Sequence, residues 1–142
     1  MPAYSAAREL LAPREDVWTV LAEPNHLSDW WPGIDGVQAD RLGLAPGARW
    51  RIQGAGRPTY SLGRKPDVAG TLIFLDVRRP EFAAWQFVEG RLDVELRLTE
   101  AAANRTRAEL TVSAPLLAGV RRSLSHKALT RLYALCQTAA EA

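Results

Sequence analysis

The clearest pattern along the chain is strict alternation. Leu92, Val94, Leu96 and Leu98 are apolar, and Asp93, Glu95, Arg97 and Thr99 between them are polar. Ala108, Leu110, Val112 and Ala114 repeat the pattern against Arg107, Glu109, Thr111 and Ser113. A period of two predicts strands with one covered face and one wet face. Phe82 to Glu89 also alternates, with Ala83, Trp85, Phe87 and Glu89 on one face. Val68 to Arg78 places Leu72, Phe74 and Asp76 on one face and Ile73, Leu75 and Val77 on the other. Arg49 to Gln53 pairs Trp50 with Ile52, and Ile34 to Arg41 and Ala3 to Leu11 read as further strands. Leu44-Ala45-Pro46-Gly47, Pro80-Glu81, Glu89-Gly90-Arg91 and Ala102-Ala103-Asn104-Arg105 are the turns between them. Strands joined by short turns form an antiparallel meander.

The period changes near Leu116. Leu117, Val120, Leu124, Ala128, Leu132, Leu135 and Ala139 recur at steps of three and four, which predicts one helix over 116–139. It is the only element long enough to cover the sheet's apolar face. Two short helices are read after the first strand. In one, Pro13 opens the first turn, Glu15 and Asp16 complement the dipole, and Val17, Trp18, Val20 and Leu21 form the buried face. The other runs from Pro24 to Trp31 and ends at Pro32-Gly33. The predicted fold class is α+β: a curved antiparallel sheet of about seven strands wrapped around a long C-terminal helix.

Composition narrows the function classes. A chain of 142 residues suits one domain with a real core. With 18 basic and 16 acidic residues, the net charge of +2 argues against a nucleic-acid partner. Cys136 is the single cysteine, so no internal disulfide forms; a reducing, cytoplasmic setting and a structural thiol are expected. The histidines are His26 and His126, so no Cys/His metal cluster and no cofactor are expected. No stretch reads as a signal peptide or a membrane span, and stable membrane insertion is not expected.

Several residues invite a chemical reading. Arg131 falls between Leu124 and Leu135, inside the apolar sector of the last helix. A guanidinium there pairs with a sheet carboxylate, meets a ligand in a cavity, or snorkels to the rim. Trp30 and Trp31 point about 100° apart on a helix; both read as packing anchors, the alternative being that one enters the core while the other lines a groove or the surface. Gly54 to Pro66 lacks apolar periodicity; it is a solvated loop or hairpin tip, or a lid carrying Tyr60. Asp76 and Glu89 would be desolvated if their strand faces point inward. His26 reads as a surface or capping residue rather than a catalyst, and His126 as exposed.

The order of elements, the stretch Ala12-Pro13-Arg14-Glu15-Asp16-Val17-Trp18-Thr19-Val20-Leu21-Ala22 and the following Trp30-Trp31-Pro32-Gly33 resemble the START/Bet v 1-like (SRPBCC) superfamily. Within it, the polyketide cyclase/dehydrase and lipid-transport family is the most similar. The resemblance implies a helix-grip fold with a cavity between sheet and helix. It also implies a hydrophobic or amphipathic ligand such as a lipid, polyketide or quinone; a monomer or homodimer is expected. Trp30, Trp31, Trp50, Tyr60, Phe74, Asp76, Trp85, Phe87 and Arg131 are the candidate ligand contacts. The alternative is an aromatase/cyclase or dehydratase in the same cavity, which requires an acid and a base. A third reading, a protein-interaction module, requires a large exposed apolar patch.

Overall fold

The computed structural model describes residues 3–53, 69–114 and 123–141. Its alternating stretches pair, every one antiparallel to its neighbours, into a seven-stranded sheet. The strands are β1 (Ala3–Leu10), β2 (Gly36–Gln38), β3 (Arg49–Gln53), β4 (Ala69–Arg78), β5 (Phe82–Phe87), β6 (Leu92–Ala102) and β7 (Arg105–Ser113). Their order across the sheet is β1-β7-β6-β5-β4-β3-β2. The meander from β2 to β7 is sequential, and β1 closes it by pairing with β7, so Tyr4 lies opposite Val112 and Leu10 opposite Thr106.

Alternation decides which face is covered. Leu92, Val94, Leu96 and Leu98 of β6 and Ala108, Leu110 and Val112 of β7 are all buried. Removing these side chains from water is the main favourable term in assembling the sheet. The helices are α1 (Arg14–Ala22), α2 (Pro24–Trp30) and α3 (Ser123–Glu141). α1 buries Val17, Trp18, Val20 and Leu21, the face read from its spacing.

Covering the sheet is shared, rather than left to the long helix. α3 lies mainly on β1, with contacts to β7, α1 and α2, while α2 packs near β2 and α1 reaches β6. Two buried hydroxyls fasten this arrangement. Ser125 Oγ donates to the Tyr4 carbonyl at 3.1 Å, tying α3 to β1, and Thr106 Oγ1 donates to the Ala12 carbonyl at 2.7 Å, tying β7 to the start of α1.

α3 is rotated from the orientation its leucines suggest. Its buried line is Ser125, Ala128, Leu129, Leu132 and Cys136, with Leu124 and Leu135 only partly buried on one flank. At about 100° per residue, Arg131 then lies a quarter-turn or more from the centre, beside Leu124. It is exposed, which corrects its expected place inside the apolar sector. The expectation leaned on Leu117 and Val120, which lie outside the described residues.

β4 carries a second correction. The β4–β5 register shifts between Phe74 and Asp76, leaving Leu75 as an extra residue that is 57% exposed. Beyond this bulge the pleat is inverted, as an inserted residue requires. Val77 now pairs with buried Ala83 on the inner face, and Asp76 pairs with Ala84 on the outer one. Asp76 therefore does not share the inner face with Leu72 and Phe74; its carboxylate accepts from Arg78 Nη2 at 2.8 Å.

Candidate functional site

The inner faces of β3, β4 and β5 meet α2 at a cluster of rings. Trp50 stands opposite Leu72, and Phe74 opposite Trp85, so the registers alone bring these residues together. Trp30 and Trp31 arrive from α2, and both are buried. The helix ends between them: Trp31 is its C-cap at φ −91°, ψ 120°, with its N–H donating to the Leu27 carbonyl at 2.8 Å. Leaving the helical path lets neighbouring side chains both turn inward, so neither indole lines the outer surface.

Trp85 is the hub. Its ring centroid lies 6.2 Å from that of Trp30, 6.1 Å from Trp31 and 6.0 Å from Phe74. Trp30 meets Trp31 at 5.5 Å, Trp31 meets Phe87 at 5.1 Å, and Trp50 meets Phe74 at 4.8 Å. Most of the pairs are edge-to-face, an arrangement worth about 0.5–1.5 kcal/mol each beyond simple burial.

Beside these rings lies a hollow of about 20 Å³, room for roughly one water. Leu21 of α1, Leu27 and Trp30 of α2, Trp50 of β3, Leu72 and Phe74 of β4, and Ala83 and Trp85 of β5 line it. Leu44, half-buried, adds a further wall from the loop between β2 and β3. This loop is held by identifiable bonds. Asp40 Oδ1 accepts from the Leu42 N–H at 2.9 Å and Oδ2 from the Arg49 N–H at 2.8 Å. The Arg49 bond is the main reason the Asp40 carboxyl is held below its ordinary range. Gly47 N–H donates to the Phe74 carbonyl at 2.8 Å, and Phe74 N–H to the Ala48 carbonyl at 3.0 Å. Trp50 Nε1–H donates to the Gly43 carbonyl at 2.9 Å, so one indole both walls the hollow and pins its roof. Gly43 and Gly47 adopt φ 68° and 84°, the left-handed region that glycine enters without cost.

The structure thus gathers Trp30, Trp31, Trp50, Phe74, Trp85 and Phe87 into one cluster, and leaves Asp76 and Arg131 outside it. Tyr60, with the whole Gly54–Pro66 stretch, lies outside the described residues. Glu89 is exposed; it folds back on the sheet, where Oε1 accepts from the Thr71 N–H at 2.7 Å. His26 sits at the surface of α2, with Nδ1 3.3 Å from Asp29 Oδ2. His126 is exposed. Cys136 is 2% exposed, and burial, with a lesser contribution from the Asp16 charge, pushes its thiol up to about 11.

Sequence reasoning missed Arg8. It lies on the inner side of β1, opposite buried Ala108, with Cζ 4.2 Å from the Tyr133 ring centroid. Its Nε is buried with no hydrogen-bond partner among the described residues. The signal was available: Tyr4, Ala6, Arg8 and Leu10 alternate with Ser5, Ala7 and Glu9, placing Arg8 on the apolar parity.

Comparison with known proteins fits this architecture. The family model described as "Polyketide cyclase / dehydrase and lipid transport" matches residues 1–137. Protein NE0264 from Nitrosomonas europaea is similar at 19% identity and TM-score 0.71, over 96% of this chain and 95% of that one. Protein CV1439 from Chromobacterium violaceum gives 16% identity and TM-score 0.69, over 95% and 97%. XoxI from Bacillus cereus gives 13% identity and TM-score 0.67, over 99% of both chains. At such identities the likeness concerns the fold alone. None of the curated proteins matches the chain in sequence. Among the described residues, no helix is long and apolar enough to cross a membrane.

Proposed function

The chain belongs to the polyketide cyclase/dehydrase and lipid transport family, and on that premise we propose that it binds a hydrophobic small molecule at the ring cluster. The observation that carries this reading is the combination around Trp85: interlocking rings, a hollow beside them, and a short loop as one wall. Apolar walls with few polar groups are the usual make-up of a small-molecule site. A drug-sized ligand needs roughly 300 Å³ or more, so this reading takes the hollow of about 20 Å³ as a closed form that opens on binding. In this reading Leu44 is the plug. Entry swings the loop outward about Gly43 and Gly47, and the ligand takes the place of the leucine side chain against Trp50 and Phe74. Among the described residues that line the hollow there is no acid or base, which favours binding over cyclisation or dehydration there.

The test is titration with a neutral apolar fluorophore, N-phenyl-naphthylamine, of wild type and an Ala83→Val variant. Ala83 is 2% exposed and lines the hollow, so the added methyls project into it. Saturable binding by wild type that weakens at least tenfold in a folded variant supports the reading. Equal binding by both proteins places the dye elsewhere and refutes it.

A further inference from the structure

The β4–β5 ladder ends on a rung made by a side chain. Leu72 stands opposite Phe87, so the register sets Thr71 opposite Val88. Val88 N–H donates to the Thr71 carbonyl at 2.9 Å, as that pairing requires. The return bond runs elsewhere. The Val88 carbonyl accepts from Arg91 N–H at 3.2 Å and closes the turn 88–91, with Arg91 at φ 53°. Its place opposite the Thr71 N–H is taken by Glu89 Oε1, at 2.7 Å. Gly70 makes the room. It lies opposite buried Ile52 on the inner face, and a Cβ there would stand 3.1 Å from Glu89 Oε1 and 3.3 Å from Ile52 Cγ1. The carboxylate thus reaches Thr71 past the inner side of a residue that has no side chain.

A rung of this kind releases without unfolding the strand. Glu89 is exposed, so side-chain rotation alone exchanges the Thr71 N–H for water. The turn connects to the ring cluster through Phe87, which ends β5 just before it. Phe87 packs on Trp31 at 5.1 Å, and Trp31 on Trp85 and Trp30 at 6.1 and 5.5 Å; the last two line the hollow. Withdrawing Leu44 vacates the space of one side chain, well short of what a drug-sized ligand needs, so a ring must also yield.

We propose that the turn 88–91 is a second movable wall of the binding site and that Glu89 is its latch. Bonded to Thr71, it holds Phe87 and Trp31 against Trp85; released, it lets those rings shift to admit the ligand. This rests on the binding reading above and adds a gate that sets the rate of entry and exit. The latch forms in the empty and the filled protein alike, so it governs how fast the ligand exchanges rather than how tightly it binds.

The test is stopped-flow mixing of the full-length protein with N-phenyl-naphthylamine, for wild type, Glu89→Ala, Glu89→Gln and Gly70→Ala. Glu89→Ala should speed association and dissociation together by about fivefold, the size of one net hydrogen bond, with Kd within twofold of wild type. Glu89→Gln keeps an acceptor oxygen and should return both rates to near wild type. Gly70→Ala crowds the carboxylate and should act as Glu89→Ala does; should it fail to fold, the two Glu89 variants decide the matter. In the ligand-free protein, the Thr71 amide should exchange faster in Glu89→Ala than in Glu89→Gln. Unchanged rates in Glu89→Ala overturn the proposal and leave the binding reading intact. So does a weaker Kd with an unchanged association rate, which would make Glu89 a ligand contact. Absence of saturable dye binding by wild type overturns both.

Discussion

Replacing Trp50 with phenylalanine separates the two tasks of that residue. Trp50 is 1% exposed and edge-on to Phe74 at 4.8 Å, and its N–H holds the Gly43 carbonyl at 2.9 Å. Trp50→Phe keeps a ring in the wall but removes the N–H and part of the bicycle. The lost hydrogen bond is worth about 1 kcal/mol net, because the freed carbonyl belongs to a loop that water can reach. The lost carbon surface amounts to about two methylene equivalents, or roughly 1.6 kcal/mol. Together these give about 2.5 kcal/mol, or about 8 °C in Tm for a domain of this size. The hydrogen-bond share acts on the loop itself. The amides of Leu42, Gly47 and Arg49, each bonded within the loop or to its neighbours, should therefore exchange about fivefold faster under native conditions, beyond the global effect. Urea denaturation measures the first quantity and amide exchange by NMR the second. A loss below about 0.5 kcal/mol, with exchange at those amides unchanged, would falsify the claim that this indole pins the roof.

Other consequences are equally specific. Thr106→Val keeps the shape but strips the buried Ala12 carbonyl of its donor, so chemical denaturation should show a loss of about 1–3 kcal/mol. Leu132→Ala, at a fully buried position of α3, should cost about 3 kcal/mol, whereas Arg131→Ala, exposed on the same helix, should stay within about 0.5 kcal/mol and leave dye binding unchanged. The Cys136 thiol, raised from 9.0 to about 11, favours the neutral form in the folded state; its contribution to stability is complete below pH 9 and is lost as pH rises toward 11, so denaturation midpoints should fall across that window and no longer do so in Cys136→Ala. The Asp40 carboxyl, held below its ordinary 3.8, works in the opposite sense: the loop tether is complete above that pH and fails as pH falls below it, which amide exchange at Arg49 would register and Asp40→Ala would reproduce at neutral pH.

Much of this fold was legible because a period of two is hard to mistake. Arg49–Gln53 was read to the residue, and the inner faces of β5, β6 and β7 follow directly from their alternation. The ring cluster was legible in part: Trp50, Phe74, Trp85 and Phe87 lie on apolar parities of adjacent strands, so pairing alone assembles them. What failed did so where a rule of constant period is broken. One extra residue at Leu75 inverts the pleat and sends Asp76 outward, and nothing in its composition marks a bulge. The reading of Trp30 and Trp31 as packing anchors holds, and both indoles turn inward because the helix has already ended at Trp31. The phase of α3 was misjudged because leucines on its flank outweighed Ser125 and Cys136, small residues that sit on the buried line where helix and sheet approach closely. Arg8 went unnoticed because an alanine-rich strand carries little apolar signal.

The account depends on the ring cluster opening to admit one small apolar molecule. Native mass spectrometry of the gently purified chain, incubated with excess N-phenyl-naphthylamine, tests this directly. The account expects a discrete one-to-one complex, absent from Ala83→Val and stripped to the bare chain at higher collision energy. The bare chain as the only species, under conditions that preserve its folded charge states, would contradict it.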